Sequence, residues 1–289
     1  MAQNTNIMKL IQNAPNIAKA LILTGMLGAC QNEKVAVVNP MAEQAQRHDF
    51  QNSKISAESK LIKDASRVLA YSGPRNLLTK ETLESYNYYI EYAYNGQSIS
   101  GTRYQISTKK QVEKNVYTLN ANGLCIQSIV GNNFKVTTVY EYNENQQLIK
   151  AYNKSEPNER LEFDYSDETN GQAMLLSVTF YDKANLKIKE LSYSYAGLTP
   201  DIYPVNPEYL AAGTTKYLPI FGRFSPYLVK MVTEKEFTYH PFKEYTSARL
   251  YAYTQYADGK VKSIKATDVK SGNTYSSTER QYSSAMASN

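Results

Sequence analysis

The chain has 289 residues, a formal net charge of +5, 20% charged residues, 26 Tyr, 2 Cys, 2 His and no Trp. No cationic run or basic stripe accompanies this mild positive balance, so composition gives no case for a nucleic-acid partner. The sequence also lacks a Gly-x-Ser-x-Gly nucleophile turn, a phosphate-cradling loop, an Asp-rich calcium loop and a paired-cysteine zinc site.

The first thirty residues differ from the rest. They carry Lys9 and Lys19 and no acid, followed by the apolar run Ala20–Leu27 and the small residues Gly28 and Ala29 before Cys30. A charged start, a short apolar core and small residues before a cut describe a secretory signal over residues 1–29. About ten apolar residues are too few for a spanning helix, which needs ~20. Met8-Lys9 reads as a more usual signal start than Met1. Leu27-Gly28-Ala29-Cys30 resembles the lipobox of bacterial lipoproteins. That resemblance implies cleavage between Ala29 and Cys30, lipid on Cys30 and membrane attachment. Gln31, standing where an Asp commonly retains such proteins at the inner membrane, implies the outer membrane. Without the leader's two cations, the net charge falls from +5 to +3.

Residues 30–70 contain no Tyr and residues 31–70 no Gly. We read residues 31–55 as a polar tether and Ser56–Leu69 as a short helix, with Ser56 as N-cap and Glu58 in its first turn. The first tyrosine, Tyr71, opens the main domain, residues 71–289.

From Tyr86 the apolar period becomes two. Tyr86, Tyr88, Ile90, Tyr92 and Tyr94 share one strand face, and Asn95-Gly96 supplies a turn. Leu191, Tyr193 and Tyr195 alternate in the same way. One pattern recurs: aromatic-x-aromatic, an Asx or Gly turn, then an aliphatic residue. It is seen at Tyr117–Leu124, Tyr140–Leu148, Phe180–Leu186 and Tyr251–Val261. The uneven spacing marks a degenerate repeat. A mainly β domain is expected: an antiparallel meander of roughly ten short strands forming a curved sheet or part-closed barrel. Cys125, between Leu124 and Ile126, is expected to be a buried, inert thiol.

These hairpins resemble the tyrosine–aspartate (Rhs-type) repeats of bacterial surface proteins. Lipobox, tyrosine-rich hairpins, Leu218-Pro219-Ile220-Phe221-Gly222 and the closing Asp258-Gly259-Lys260-Val261 are together similar to an uncharacterised Gram-negative lipoprotein family. The resemblance covers about Tyr86 to Ile264 and implies a porin-like β-fold; it implies no catalytic residues. Gln146-Gln147 and Ala184-Asn185 depart from the pattern by replacing the turn glycine. A spanning barrel would need strands of ~9–11 residues with a lipid-facing apolar band. Charges at Glu91, Lys187 and Glu190 favour a soluble sheet over that alternative.

Residues 197–232 interrupt the meander with five of the ten prolines and a dense set of apolar residues. One reading is a lid packing its aromatics into one end of the sheet and covering an open edge. The other is a ligand or partner surface presenting Tyr217, Phe221, Arg223, Phe224 and Tyr227. Catalysis by histidine would rest on His240, because His48 lies in the tether. Carboxylate pairs, Glu162 with Asp164 and Glu234 with Glu236, are formal candidates that alternation reads as solvated strand faces. The expectation is an envelope lipoprotein with a structural or interaction role. It would have no enzymatic activity, cofactor or metal, and its partner would be a protein or a glycan. The alternatives are a carbohydrate- or peptide-binding module using tyrosine faces, and an enzyme of unrecognised type.

Overall fold

The computed structural model describes residues 59–132, 135–167, 173–201, 204, 207 and 215–283. Ala29, Cys30, His48 and Ser56 lie outside the described residues. The strands in chain order are β1 (Leu61–Asp64), β2 (Arg67–Ser72), β3 (Leu77–Leu83), β4 (Tyr88–Asn95), β5 (Ser98–Gln105) and β6 (Gln111–Leu119). Then come β7 (Cys125–Val130), β8 (Val136–Tyr142), β9 (Leu148–Asn153), β10 (Glu156–Tyr165) and β11 (Leu175–Tyr181). The last five are β12 (Lys187–Pro200), β13 (Tyr227–Tyr239), β14 (Phe242–Gln255), β15 (Val261–Asp268) and β16 (Thr274–Tyr282). Each strand pairs with the next, and β1 pairs with β16, so the meander closes completely into a barrel.

Four expectations need correction. The described residues form sixteen strands, not roughly ten, because each hairpin of the repeat contributes two. The segment read as a helix ending at Leu69 is instead β1, a turn at Ala65 (φ 55°) and the first half of β2. Leu61 and Leu69 bury on the inner wall, and pairing of β1 with β16 overrides the segment's weak helical preference. The barrel therefore begins at Leu61, ahead of the boundary placed at Tyr71. The insert is shorter than residues 197–232, because β12 continues to Pro200 and β13 starts at Tyr227.

Alternation sorts the walls as the sequence suggested. On β4, Ile90, Tyr92 and Tyr94 pack inward and Glu91 faces out, whereas Tyr86 lies in a one-turn 3-10 segment and is exposed. Directly paired residues share a face, so cross-strand rows can be followed around the barrel. One outward row runs Glu141, Lys150, Glu162, Thr179, Glu190, Lys235, Thr246 across β8 to β14. Another runs Lys80, Glu91, Thr102, Lys114 across β3 to β6. A lipid-facing barrel carries an apolar outer band; these two rows instead alternate acids, bases and threonines at mid-strand.

The sequence repeat has a structural meaning. In four of these turns the first turn residue accepts a bond from the amide three residues on: Asn120 from Gly123 (2.9 Å), Asn143 from Gln146, Asp182 from Asn185 and Tyr256 from Gly259 (each 3.0 Å). Gln146 (φ 61°) and Asn185 (φ 62°) adopt the left-handed backbone that Gly123 and Gly259 adopt, so the departing repeats keep the same turn. A side chain at Gln146 makes that conformation unfavourable by about 1 kcal/mol. Gln146→Gly is therefore expected to stabilise the barrel by about 0.5–1 kcal/mol, read as a rise in thermal midpoint.

The even-numbered strands run toward the end of the barrel that holds the insert, here the plug end; the opposite end is the open end. Near the plug end, inward tyrosines on six even strands donate to a carbonyl of the preceding strand. Tyr94 bonds Leu78, Tyr142 bonds Cys125, Tyr165 bonds Leu148, Tyr195 bonds Leu175, Tyr253 bonds Val229 and Tyr282 bonds Val261, at 2.6–3.1 Å. A buried carbonyl left without a partner is costly, which accounts for tyrosine rather than phenylalanine at these positions. Burial pushes the Tyr94 and Tyr195 hydroxyls up to about 12, so they remain donors at physiological pH.

Candidate functional site

The described part of the insert, Thr215–Pro226, fills the plug end instead of standing on the surface. Leu218, Ile220, Phe221 and Phe224 are all buried in the core. Phe221 is 0% exposed, its ring 6.2 Å edge-on to Tyr117 and 5.2 Å from Tyr140. Phe224 packs 6.2 Å from Phe163. The backbone is fixed as well. The amides of Cys125 and Leu175 donate to the carbonyls of Ile220 (2.7 Å) and Phe224 (2.8 Å), and Gly222 forms a bridge to Gln147. The insert thus satisfies the first residues of β7 and β11 and the residue just ahead of β9. A Cβ on Gly222 (φ 84°) would lie 2.4 Å from the Gln146 carbonyl oxygen, so only glycine fits this crossing.

The five residues proposed as one surface are dispersed. Phe221 and Phe224 are core, Arg223 is exposed and Tyr227 opens β13, its amide bonded to Ser225 Oγ at 3.1 Å. Tyr217 turns toward the first strands and donates to Asp64 Oδ2 at 2.7 Å. The aromatics do pack into one barrel end, as the lid reading had it. No open edge is covered there, because β12 and β13 pair with each other.

Toward the open end the inner wall changes character. One inward row runs Tyr140, Ala151, Leu161, Phe180, Lys189, Glu236, Tyr245, passing from core to charge as it goes round. Two ionic clusters line the interior, the first against the insert and the second on this row and its neighbours. In the first, Asp64 accepts from Lys216 Nζ (2.8 Å), Tyr217 and Arg280 Nε (3.4 Å). Beside it Glu81 pairs with Arg67, and the Tyr92 hydroxyl lies 3.2 Å from both Glu81 and Thr215. Burial alone would raise the Asp64 carboxyl; the charges of Lys216 and Arg280 outweigh it and hold the group below the usual carboxylate range. For Glu81 burial prevails over Arg67 and the carboxyl is held above its usual range. In the second cluster Glu234 lies between Lys189 and Arg249 (2.9 Å), and Glu236 sits 3.7 Å from Lys189.

Glu234 is therefore not part of a solvated face, its side chain 16% exposed, whereas Glu236 on the same face stays 46% exposed. They sit inside the open half, neutralised by cations between and beside them. Glu162 does face outward, paired with Arg160. Cys125 is fully buried, and burial pushes its thiol up to about 12, leaving it un-ionised at neutral pH. His240 is exposed in the turn between β13 and β14. Among the described residues no group of three or more His, Cys, Asp or Glu side chains is placed to hold a metal ion. The geometry is that of paired charges holding elements together, with no nucleophile–base contact among the residues named.

Sequence reasoning missed both clusters, since an acid on a strand reads as solvent-facing. The available signal was parity: Glu81 is two residues before the core residue Leu83, and Glu234 two after Val232.

No family model matches the chain, and no curated protein matches it. Among solved structures it is similar to a porin-like protein from Bacteroides uniformis at 12% identity, covering 77% of this chain and 97% of that one, with a TM-score of 0.39. It is also similar to the N-terminal domain of the effector protein SpvB from Salmonella typhimurium, at 11% identity, 78% and 87% coverage and a TM-score of 0.28.

Proposed function

We propose that this chain is an outer-membrane lipoprotein whose barrel is a rigid, water-facing body for contact with other envelope molecules, and is not a pore. One observation carries the reading: a charge-bearing outer wall surrounds an interior filled at one end by the insert. Such a wall is unsuited to lipid, and such an interior does not conduct. Attachment then falls to Cys30, where two or three acyl chains give stable anchoring. Leu61 and Tyr282, where the described chain enters and leaves the barrel, are paired neighbours at the plug end.

The test is metabolic labelling with radioactive palmitate, followed by fractionation. The full chain is expected to take up label and sediment with membranes, and Cys30→Ser to lose both properties. Label retained by Cys30→Ser would overturn the anchor. Ion conductance by the purified full chain in planar bilayers would overturn the non-pore reading.

A further inference from the structure

A closed barrel has no free strand edge except where one hairpin outruns its neighbours, and β13–β14 does so at the open end. Pairing of β14 with β15 begins only at Arg249 opposite Asp268, whereas its pairing with β13 extends to Phe242 opposite Tyr239. Residues Phe242–Ser247 are all exposed. Strand geometry shows where their main-chain groups point. Val269 N donates to the Ala248 carbonyl, and at the far end of the same strand Tyr256 N donates to Lys260. Even-numbered residues of β14 thus direct N–H and C=O toward β15, and odd-numbered ones toward β13. Beyond Ala248, the amides and carbonyls of Phe242, Glu244 and Thr246 face the side where β15 has ended.

The edge is flanked by exposed apolar side chains. Phe242 is 62% and Tyr245 54% exposed, with Val269 (55%) and Tyr275 (52%) exposed on the neighbouring β15–β16 loop and strand. Long apolar-flanked edges are normally blunted or paired.

We infer that the Phe242–Ser247 edge of β14 is a docking site for an extended segment of another protein, added as a strand and carrying a cation opposite Glu244. This names the partner class of the interaction role proposed above and rests on that reading. Charge selects against a second copy of this chain. The two-fold register that uses all three free residues sets Glu244 directly against its own counterpart, and like charges facing each other across strands are destabilising. Lys235, 3.3 Å from Glu244, sits on β13, on the side away from the edge. A partner cation can therefore approach Glu244 from the edge side. Main-chain bonds would supply affinity, and partner side chains over Phe242 on the outer face and over Tyr245 on the inner face would supply specificity.

The experiment is selection of a displayed library of nonapeptides against the full chain in detergent, with Thr246→Pro and Glu244→Lys run in parallel. Proline at an even position removes only an edge-facing donor and leaves the β13 ladder intact. Enriched sequences are expected to alternate apolar residues around a central Lys or Arg. They should be lost on Thr246→Pro, and should change to a central acid on Glu244→Lys. A synthetic peptide from that set is expected to slow amide exchange at Phe242, Glu244 and Thr246 by at least ~10-fold, leaving Lys243 and Tyr245 unchanged. No enrichment, or equal enrichment on Thr246→Pro, would overturn the proposal. So would a dimer in sedimentation that Thr246→Pro abolishes, since that assigns the edge to self-pairing. Peptide capture does not require lipid on Cys30, so failure here is distinguishable from failure of the anchor.

Discussion

Phe221→Ala is expected to lower the unfolding free energy of the full chain by about 3–5 kcal/mol, the cost of emptying a fully buried aromatic site. Phe221 is enclosed by Tyr117 and Tyr140 and lies on a backbone segment bonded to β7 and β11 and bridged to Gln147 just ahead of β9. The wall around it therefore has little freedom to collapse into the cavity. Arg223→Ala, two residues away and exposed, is expected to change stability by less than about 0.5 kcal/mol. Urea unfolding followed by far-ultraviolet circular dichroism measures both, the signal coming from the strands because the chain has no Trp. Similar small effects for the two variants would show that the insert is a surface loop and not part of the core.

Asp64→Asn is expected to be nearly as costly, about 3 kcal/mol, because it removes the stronger of the two counter-charges, Asp64 and Asp201, that act on the buried Arg280. Arg280 is 3% exposed and Asp64 2%. The same carboxylate also holds Lys216 and Tyr217 of the insert, so one substitution loosens the β1–β16 seam and the insert together. The pH dependence has a definite sign. The folded-state pKa of Asp64 lies below its unfolded value, so its contribution is present above the unfolded value and lost as pH falls through the folded one. Glu81, raised by burial, has the opposite sign: its contribution is present below its unfolded value and lost as pH rises through the folded one. Unfolding midpoints measured from acid to neutral pH should show the Asp64→Asn penalty shrinking toward acid. A penalty that stayed constant with pH would rule out ionisation of Asp64 as its source.

Much of the fold was legible because the inward face repeats at every strand. Ile90, Tyr92 and Tyr94 fixed the parity of β4, and the aromatic-x-aromatic turns located the hairpins at Asn120, Asn143, Asp182 and Tyr256. Closure was not legible. Nothing local in Leu61–Asp64 says that it pairs with a strand near residue 282, and four residues are too short to display a period. That is also why the stretch ending at Leu69 read as a helix. The insert was recognised by its prolines, but burial of Phe221 and exposure of Arg223 depend on which way the segment crosses the barrel. The charged half of the interior was hidden for a different reason. Inner and outer acids look alike in sequence until the register gives Glu234 a Leu191 neighbour and Glu162 a Thr179 neighbour.

The seam between β1 and β16 also orders events in time. Every other strand pair joins neighbours in the chain, while Asp64 and Arg280 stand 216 positions apart. Hairpins can form as soon as both their strands exist, but contacts of that separation must wait for the whole chain and carry the largest loop-closure entropy. The second through fifteenth strands can thus assemble as a ribbon while β1 waits for a partner that arrives last. A chain interrupted before Thr274 would remain such a ribbon, with two unpaired borders able to join those of its neighbours. Completion of the last nine-residue strand is the step that turns an aggregation-prone intermediate into a closed wall.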